Sequence, residues 1–194
     1  MGLLLSRLRK CLCLQRMTEN NVFFEFLGNI QYRECLLDEV ASMVSRKDKV
    51  LDIATGTGYL AKNLITRSKD LFCLDQNIIA INNIHNDGLN GIVGDANNFP
   101  FKSNTFNKVL SWSALVHIPL WRNVLEEAFR VTCINGKVAI LEPKGAYSIR
   151  AFRDFTCSHK PPHFKSIVNE FKNYCDPQVL DRGFATIISG EKKF

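Results

Sequence analysis

One segment, residues 50–61, restricts the fold of this chain more than any other. It consists of an apolar run that contains an acid, two glycines, and the start of a helical pattern: Val-Leu-Asp-Ile-Ala-Thr-Gly-Thr-Gly-Tyr-Leu-Ala. This order predicts a buried strand, a tight turn and a helix. Gly56 and Gly58 carry no Cβ, so a ligand can approach the backbone of the turn closely. The unpaired N–H groups of the helix start point at the same place, which favours a nucleotide-like ligand.

Strand-like and helix-like segments alternate through the rest of the chain. Apolar runs recur at residues 71–75, 91–95, 108–113 and 138–142, and helical spacing is found at 31–46, 77–85, 121–131 and 164–174. This alternation predicts an α/β fold with a mostly parallel central sheet covered by helices on both faces. After Pro143 we predict one further strand, residues 185–189, and hence an abbreviated C-terminal strand region.

Length and charge indicate one ordinary domain, which we place at residues 18–194 of the 194. Residues 1–17 hold four basic side chains and no acid, whereas the remainder carries 21 basic and 19 acidic side chains. This near balance argues against a globally basic nucleic-acid-binding surface. The seven cysteines form no C-x-x-C pair and no zinc-type spacing with histidine. We therefore expect reduced thiols, no metal site, and an intracellular, cytoplasmic protein.

Three interpretations of the leucine-rich leader, residues 1–17, stay open. Its first six residues fit the N-myristoylation pattern, and the nearby cysteines and basic residues could supply the second signal for peripheral membrane association. The composition also fits an organelle-targeting presequence, which would place the protein in mitochondria. Alternatively, Met17 is the true start and the preceding residues are an upstream in-frame extension. The oligomeric state is not predicted.

The glycine turn also fits a dinucleotide fingerprint. Residues 56–61 read G-x-G-x-x-A, and Asp75 lies about 20 residues downstream, so an NAD-dependent reductase is one alternative. Asp52, however, occupies a strand end where dinucleotide sites usually have apolar residues. A third strand also ends in an acid, Asp95. These two acids argue against a dinucleotide.

The segments together resemble the S-adenosylmethionine-dependent methyltransferases of the Rossmann-like class. Among these, the chain is most similar to the small-molecule group that includes the menaquinone and ubiquinone C-methyltransferases. The matching pieces lie in the family's order between about residues 30 and 143: 51–58, 74–75, 94–96 with 99–101, 106–113, 126–131 and 135–137. The resemblance implies a Rossmann-like methyltransferase fold and S-adenosylmethionine as the cofactor.

The resemblance also implies which residues of the first strand and its turn bind the cofactor. Asp52 would lie near the methionyl end, and Gly56 and Gly58 would let the backbone approach the ligand. Ala54 stands where many members have a third glycine. That exchange is acceptable if the backbone of residue 54 is not left-handed.

Further cofactor contacts are implied at later strand ends, where open α/β sheets bind ligands. Asp75, with Gln76 beside it, would accept hydrogen bonds from the ribose hydroxyls. Asp95 would accept from the adenine amine, with Ala96 beside it. Ser111 would meet the methionyl part.

Methyl transfer from a sulfonium is an in-line displacement, so the protein must mainly align donor and acceptor. A base is needed only if the acceptor holds a proton at neutral pH. His117 is the candidate catalytic residue, although structural capping of its loop explains it as well; Glu142 is a second candidate base. Residues 111–114 lack the Asn/Asp-Pro-Pro-aromatic signature of DNA and protein amino-methyltransferases, which favours a small, apolar or aromatic acceptor. An alternative to an enzyme is a non-catalytic or regulatory protein that keeps this fold.

Overall fold

A computed structural model of the chain describes residues 30–143, 162–183 and 185–193. The leader at residues 1–17 lies outside these ranges. The described strands are β1 (Lys49–Ile53), β2 (Asp70–Asp75), β3 (Asn90–Val93), β4 (Phe106–Trp112), β5 (Thr132–Pro143), β6 (Gln178–Asp181) and β7 (Ala185–Glu191). The described helices are α1 (Ile30–Ser42), α2 (Tyr59–Leu64), α3 (Ile78–Asn86), α4 (Trp121–Val131) and α5 (Phe164–Phe171), with a 3-10 turn at Leu115–His117. Among these helices, none is both long and apolar enough to cross a membrane.

The seven described strands form one sheet in the order β3-β2-β1-β4-β5-β7-β6. Strands β1 to β5 pair in parallel, and β7 runs antiparallel to both β5 and β6. The prediction of a mostly parallel sheet is confirmed. The strand order reverses between β1 and β4, and such a switch point opens a crevice at the carboxyl ends of the strands.

Helices cover both faces of the sheet because the inner strands are apolar on both sides. Leu51 and Ile53 of β1 pack with α4 and α5, whereas Val50 packs with α1 and α2 on the other face. In α4, the residues predicted to face inward are all buried: Val124, Leu125, Ala128 and Phe129. Burial of the Val124, Leu125 and Phe129 side chains stabilises the fold by about 1.5–3 kcal/mol each. The two cores together fix the strand ends that carry the candidate site.

The C-terminal strands differ from the expectation of a single strand. Residues Gln178–Asp181 form β6, which pairs antiparallel with β7 through four residue pairs. This strand is at the edge of the sheet, and three of its four residues are exposed. It therefore lacks the apolar alternation by which a strand is recognised in a sequence. The region is short, but the antiparallel pair is present.

A second difference concerns Asn135-Gly136, which the sequence placed in a turn before the fifth strand. The structure has β5 running through both residues, with Asn135 at a φ of 63°. The register of β5 against β4 shifts between Phe106 and Lys108, as a bulge requires. Asparagine tolerates this left-handed conformation better than most residues, so the bend is absorbed inside the strand.

Candidate functional site

A cavity of about 680 Å³ opens at the carboxyl ends of β1, β2 and β4. Its position matches the crevice expected at the switch point of the sheet. Eight of the residues predicted from the sequence line it: Asp52, Ala54, Gly56, Asp75, Gln76, Asp95, Ala96 and His117. The fold therefore brings together residues that are up to 65 positions apart in the chain. Two predicted residues, Gly58 and Ser111, are not part of the described lining.

The turn after β1 has a left-handed backbone at three positions. Ala54, Gly56 and Gly58 have φ values of 50°, 53° and 74°. The condition under which alanine would be a neutral replacement at residue 54 is thus not met, because an L-residue in this conformation costs roughly 1–2 kcal/mol. A Cβ at Gly56 would meet no atom within 4 Å, so the space above its backbone is open.

Gly58 serves the packing of the turn instead of the cavity wall. A Cβ at this position would lie 2.3 Å from Cδ1 of Ile84 in α3. Such a distance is too short for any real contact, so the side chain of Ile84 would have to move. The glycine is required both by its positive φ and by this close approach.

Asp52 is a buried acid with one oxygen unsatisfied. Its side chain is 1% exposed, and Oδ2 accepts a 2.6 Å hydrogen bond from the hydroxyl of Thr55. Oδ1 has no hydrogen-bond partner among the described residues. Burial raises the pKa of this carboxyl to about 7, because water no longer stabilises the charged form. A cationic donor in the cavity would satisfy the open oxygen and favour the carboxylate.

Asp75 ties the end of β2 to the glycine turn. Its Oδ2 accepts from the backbone N–H of Gly56 at 2.8 Å, and its Oδ1 accepts from that of Asn77 at 2.9 Å. Asn77, not Asp75, caps α3 by accepting from the N–H of Ile79. A carboxylate offers about four lone pairs, so Asp75 can still accept two hydroxyl donors from a ligand.

Asp95 is exposed and is held by its own loop. Oδ1 accepts from the backbone N–H and the side-chain amide of Asn97, at 2.8 and 2.9 Å. These two hydrogen bonds hold the pKa of Asp95 below its usual value. The loop continues to Phe99, whose N–H donates to Glu127 of α4 at 2.7 Å. The position of Asp95 therefore depends on α4 as well as on β3.

Ser111 lies on the face of the sheet away from Asp52. It pairs with Ile53 of β1 and Ile140 of β5 and shares their side of the sheet. The side chain is 2% exposed, and Oγ has no partner within the described ranges. Its contact with a methionyl group stays a prediction that this placement does not support.

His117 lies on a turn that is fixed to the end of β5. The N–H of Ser113 donates to the carbonyl of Leu141 at 2.7 Å. The N–H groups of Ala114 and Leu115 donate to Oε1 of Glu142 at 3.1 and 2.9 Å. His117 itself lines the cavity.

Glu142 is 1% exposed, and it is not among the lining residues. It therefore does not contribute to the cavity wall as the structure has it. Burial raises the pKa of this carboxyl to about 8. Its role here is to anchor the turn that carries His117.

Several lining residues were not predicted, including Arg33, Tyr59, Trp112, Leu141 and Pro143. Arg33 comes from α1, which precedes the glycine turn, and nothing in its own segment marks it as a ligand contact. Tyr59 and Trp112 lie inside the predicted segments 50–61 and 108–113, and their ring centroids are 5.2 Å apart. Proximity to a strand end was the one signal that could have identified these two aromatic residues.

Comparison with known proteins shows which families this chain is similar to. A family model described as a methyltransferase domain matches residues 51–140. The 2-methyl-6-phytyl-1,4-hydroquinone methyltransferase 2 of Oryza sativa subsp. japonica, a chloroplastic protein, is 28% identical over 111 residues, 54% of this chain and 32% of the relative. The demethylmenaquinone methyltransferase of Paenarthrobacter aurescens is 29% identical over 114 residues, 58% of this chain and 44% of the relative. The chain thus matches these curated relatives over less than half of their length.

The fold recurs in solved structures. The PH0226 protein of Pyrococcus horikoshii OT3 superposes with a TM-score of 0.68 at 20% identity, covering 87% of this chain and 92% of that one. At this identity the likeness concerns the fold alone. The sequence evidence for a methyltransferase domain comes from the family model, whose match begins one residue before Asp52. Residues 51–140 therefore match a methyltransferase domain family, and this match supports the S-adenosylmethionine-dependent methyltransferase superfamily for this chain.

Proposed function

We propose that the protein transfers a methyl group from S-adenosylmethionine to a small, apolar or aromatic acceptor. The observation that carries this proposal is the unsatisfied, buried oxygen of Asp52 at the wall of the cavity. The other predicted lining residues come from the glycine turn, the ends of β2 and β3 and the turn after β4. Membership of the superfamily implies the cofactor. The activity of the protein as a whole and its acceptor are parts of the proposal.

The donor set of the cavity fits this cofactor. The Asp52 carboxylate would receive the ammonium of the methionyl part, which supplies the missing donor for Oδ1. Asp75 would accept from the ribose hydroxyls, for which its remaining lone pairs are available. Asp95 would accept from the adenine amine. When bound, the cofactor supplies an activated methyl group on a sulfonium, and in-line displacement needs no covalent contribution from the protein.

Besides binding the cofactor, the protein must align the acceptor and exclude water. The turn after β4 contributes Ala114, Ile118 and Pro119 to the cavity wall, and β5 contributes Leu141 and Pro143. This wall is apolar and would favour an apolar or aromatic acceptor over a charged one. Exclusion of water and correct orientation can together account for much of the acceleration of such a reaction.

The named relatives point to the same acceptor class. One is named for a phytyl-hydroquinone and another for demethylmenaquinone, both of which contain an aromatic or quinoid ring. If the acceptor of this protein is a hydroquinone, its hydroxyl holds a proton at neutral pH. His117 would then be the residue that accepts this proton, since it faces the cavity beside the apolar wall.

Transfer of a labelled methyl group tests this function. The full chain is incubated with methyl-labelled S-adenosylmethionine and a cell extract freed of proteins, and label is followed into the organic phase. We expect label in an apolar product with the wild type and none with Asp75→Ala. If the wild type binds S-adenosylhomocysteine but labels no product from any extract, the non-catalytic alternative is correct.

A further inference from the structure

The charged side chains that line the cavity are three acids and one arginine. Three carboxylates line it, those of Asp52, Asp75 and Asp95. Among the described lining residues, Arg33 is the single arginine or lysine. A ligand group with a negative charge would be repelled by the acids and attracted to Arg33 alone.

The guanidinium of Arg33 is oriented by an aromatic ring. It lies 4.1 Å from the ring centroid of Tyr59, the first residue of α2. A guanidinium that stacks through its face keeps the N–H groups of its edge available, and this edge matches a carboxylate in a bidentate arrangement. None of the ion pairs between described residues includes Arg33. The contact with the Tyr59 ring therefore leaves the charge of Arg33 without an acid partner among the described residues.

The methionyl end of the cofactor carries two opposite charges on one carbon, an ammonium and a carboxylate. The acids of the cavity can serve the ammonium, and none of them can serve the carboxylate. We propose that Arg33 binds the carboxylate of the methionyl part, while Asp52 receives the ammonium. This assignment rests on the proposed function, because it requires the cofactor in this cavity.

The assignment predicts a difference between two ligands that share the adenosine and the sulfur. S-Adenosylhomocysteine carries the amino-acid end, and 5′-methylthioadenosine lacks it. Loss of the Arg33 charge should therefore weaken binding of the first ligand and leave the second unchanged. A residue that acted only by packing Tyr59 against the cavity would affect both ligands alike.

The test is a set of calorimetric titrations of both ligands into the full chain. The variants are Arg33→Met, which removes the charge at similar length, and Arg33→Lys, which keeps it without the planar edge. Arg46→Met is the matched control, since Arg46 is exposed and precedes β1 at the opposite end of the strand. For Arg33→Met we expect S-adenosylhomocysteine to bind roughly ten- to a hundredfold more weakly. We expect a smaller loss for Arg33→Lys and none for Arg46→Met.

Three outcomes contradict the assignment in different ways. If Arg33→Met binds S-adenosylhomocysteine as tightly as the wild type, Arg33 does not hold the carboxylate. If both ligands weaken by the same factor, the residue acts through packing. If the wild type binds neither ligand, the proposed function fails together with the inference, whereas the first two outcomes leave that function intact.

Discussion

The carboxylate of Asp75 accepts a hydrogen bond from the backbone N–H of Gly56 at 2.8 Å, across 19 residues of sequence. This contact joins the end of β2 to the glycine turn after β1. The same carboxylate is the group proposed to receive the ribose hydroxyls. Asp75 thus shapes the turn and offers a ligand contact at the same time.

We expect Asp75→Asn to weaken binding of S-adenosylhomocysteine by roughly ten- to a hundredfold, because hydrogen bonds to a charged acceptor are worth about 1.5–3 kcal/mol. The amide keeps one acceptor oxygen, so part of the turn geometry should survive. Isothermal titration calorimetry measures the effect. Asp70→Asn is the control, since Asp70 is exposed at the amino end of β2; an equal loss in both variants would contradict a specific role for Asp75.

Ala54→Gly should stabilise the fold by about 1 kcal/mol, because glycine adopts the φ of 50° at this position without the steric cost that alanine has. Denaturation by urea gives the free energy of unfolding. Ala80→Gly, inside α3, should have the opposite sign, since glycine in a helix costs about 1 kcal/mol. A destabilised Ala54→Gly variant would contradict a steric cost of alanine at this residue.

Glu142 makes the stability of the protein depend on pH. Its pKa is raised from 4.5 to about 8 by burial, so the folded state binds the proton more tightly than the unfolded state. The stabilisation is complete below pH 4.5 and is lost as the pH rises to about 8. Because a tenfold change in proton affinity equals about 1.4 kcal/mol, we expect a loss on the order of 1 kcal/mol per pH unit.

Glu142→Gln removes this dependence, since an amide oxygen can still accept from Ala114 and Leu115 but does not titrate in this range. Urea denaturation between pH 5 and 8 should give a smaller slope for this variant than for the wild type. Asp52, whose pKa is raised to about 7, also contributes to the pH dependence of stability, and this contribution persists in the variant. Glu126→Gln on the exposed side of α4 should keep the wild-type slope; equal slopes in all three proteins would refute the role of Glu142.

The pKa of Asp52 also predicts a pH dependence of ligand binding. With a pKa of about 7, Asp52 is mostly protonated at pH 6 and mostly ionised at pH 8. If the ligand ammonium requires the carboxylate, S-adenosylhomocysteine should bind roughly tenfold more tightly at pH 8 than at pH 6. Titrations at both pH values measure the ratio, and Asp52→Asn should bind weakly with little dependence on pH.

Sequence patterns predicted the strands and the buried helix face, which depend on the order of neighbouring residues. The apolar runs ending in Asp52 and Asp75 gave the strands, and the spacing of Val124 and Phe129 gave the buried face of α4. Strand β6 was missed because it is an exposed edge strand that exists through pairing with β7. Alanine itself does not indicate a left-handed backbone, so the φ of 50° at Ala54 was not predicted, although many family members have glycine at this position.

The sequence likewise predicted only some of the residues that line the cavity. Residues at strand ends were predicted to line it because parallel strands end at one edge of the sheet. Arg33 was missed because it reaches the cavity from α1 through tertiary packing. Ser111 was placed at the methionyl part by resemblance, but the pleat of β4 turns it toward Ile53 and Ile140.

Calorimetric titration of the full chain with S-adenosylhomocysteine, and separately with NADH, tests the central claim most directly. We predict saturable binding of one S-adenosylhomocysteine per chain and much weaker binding of NADH, or none. The absence of S-adenosylhomocysteine binding, or tighter binding of NADH, would contradict the assignment of this cavity to a sulfonium cofactor.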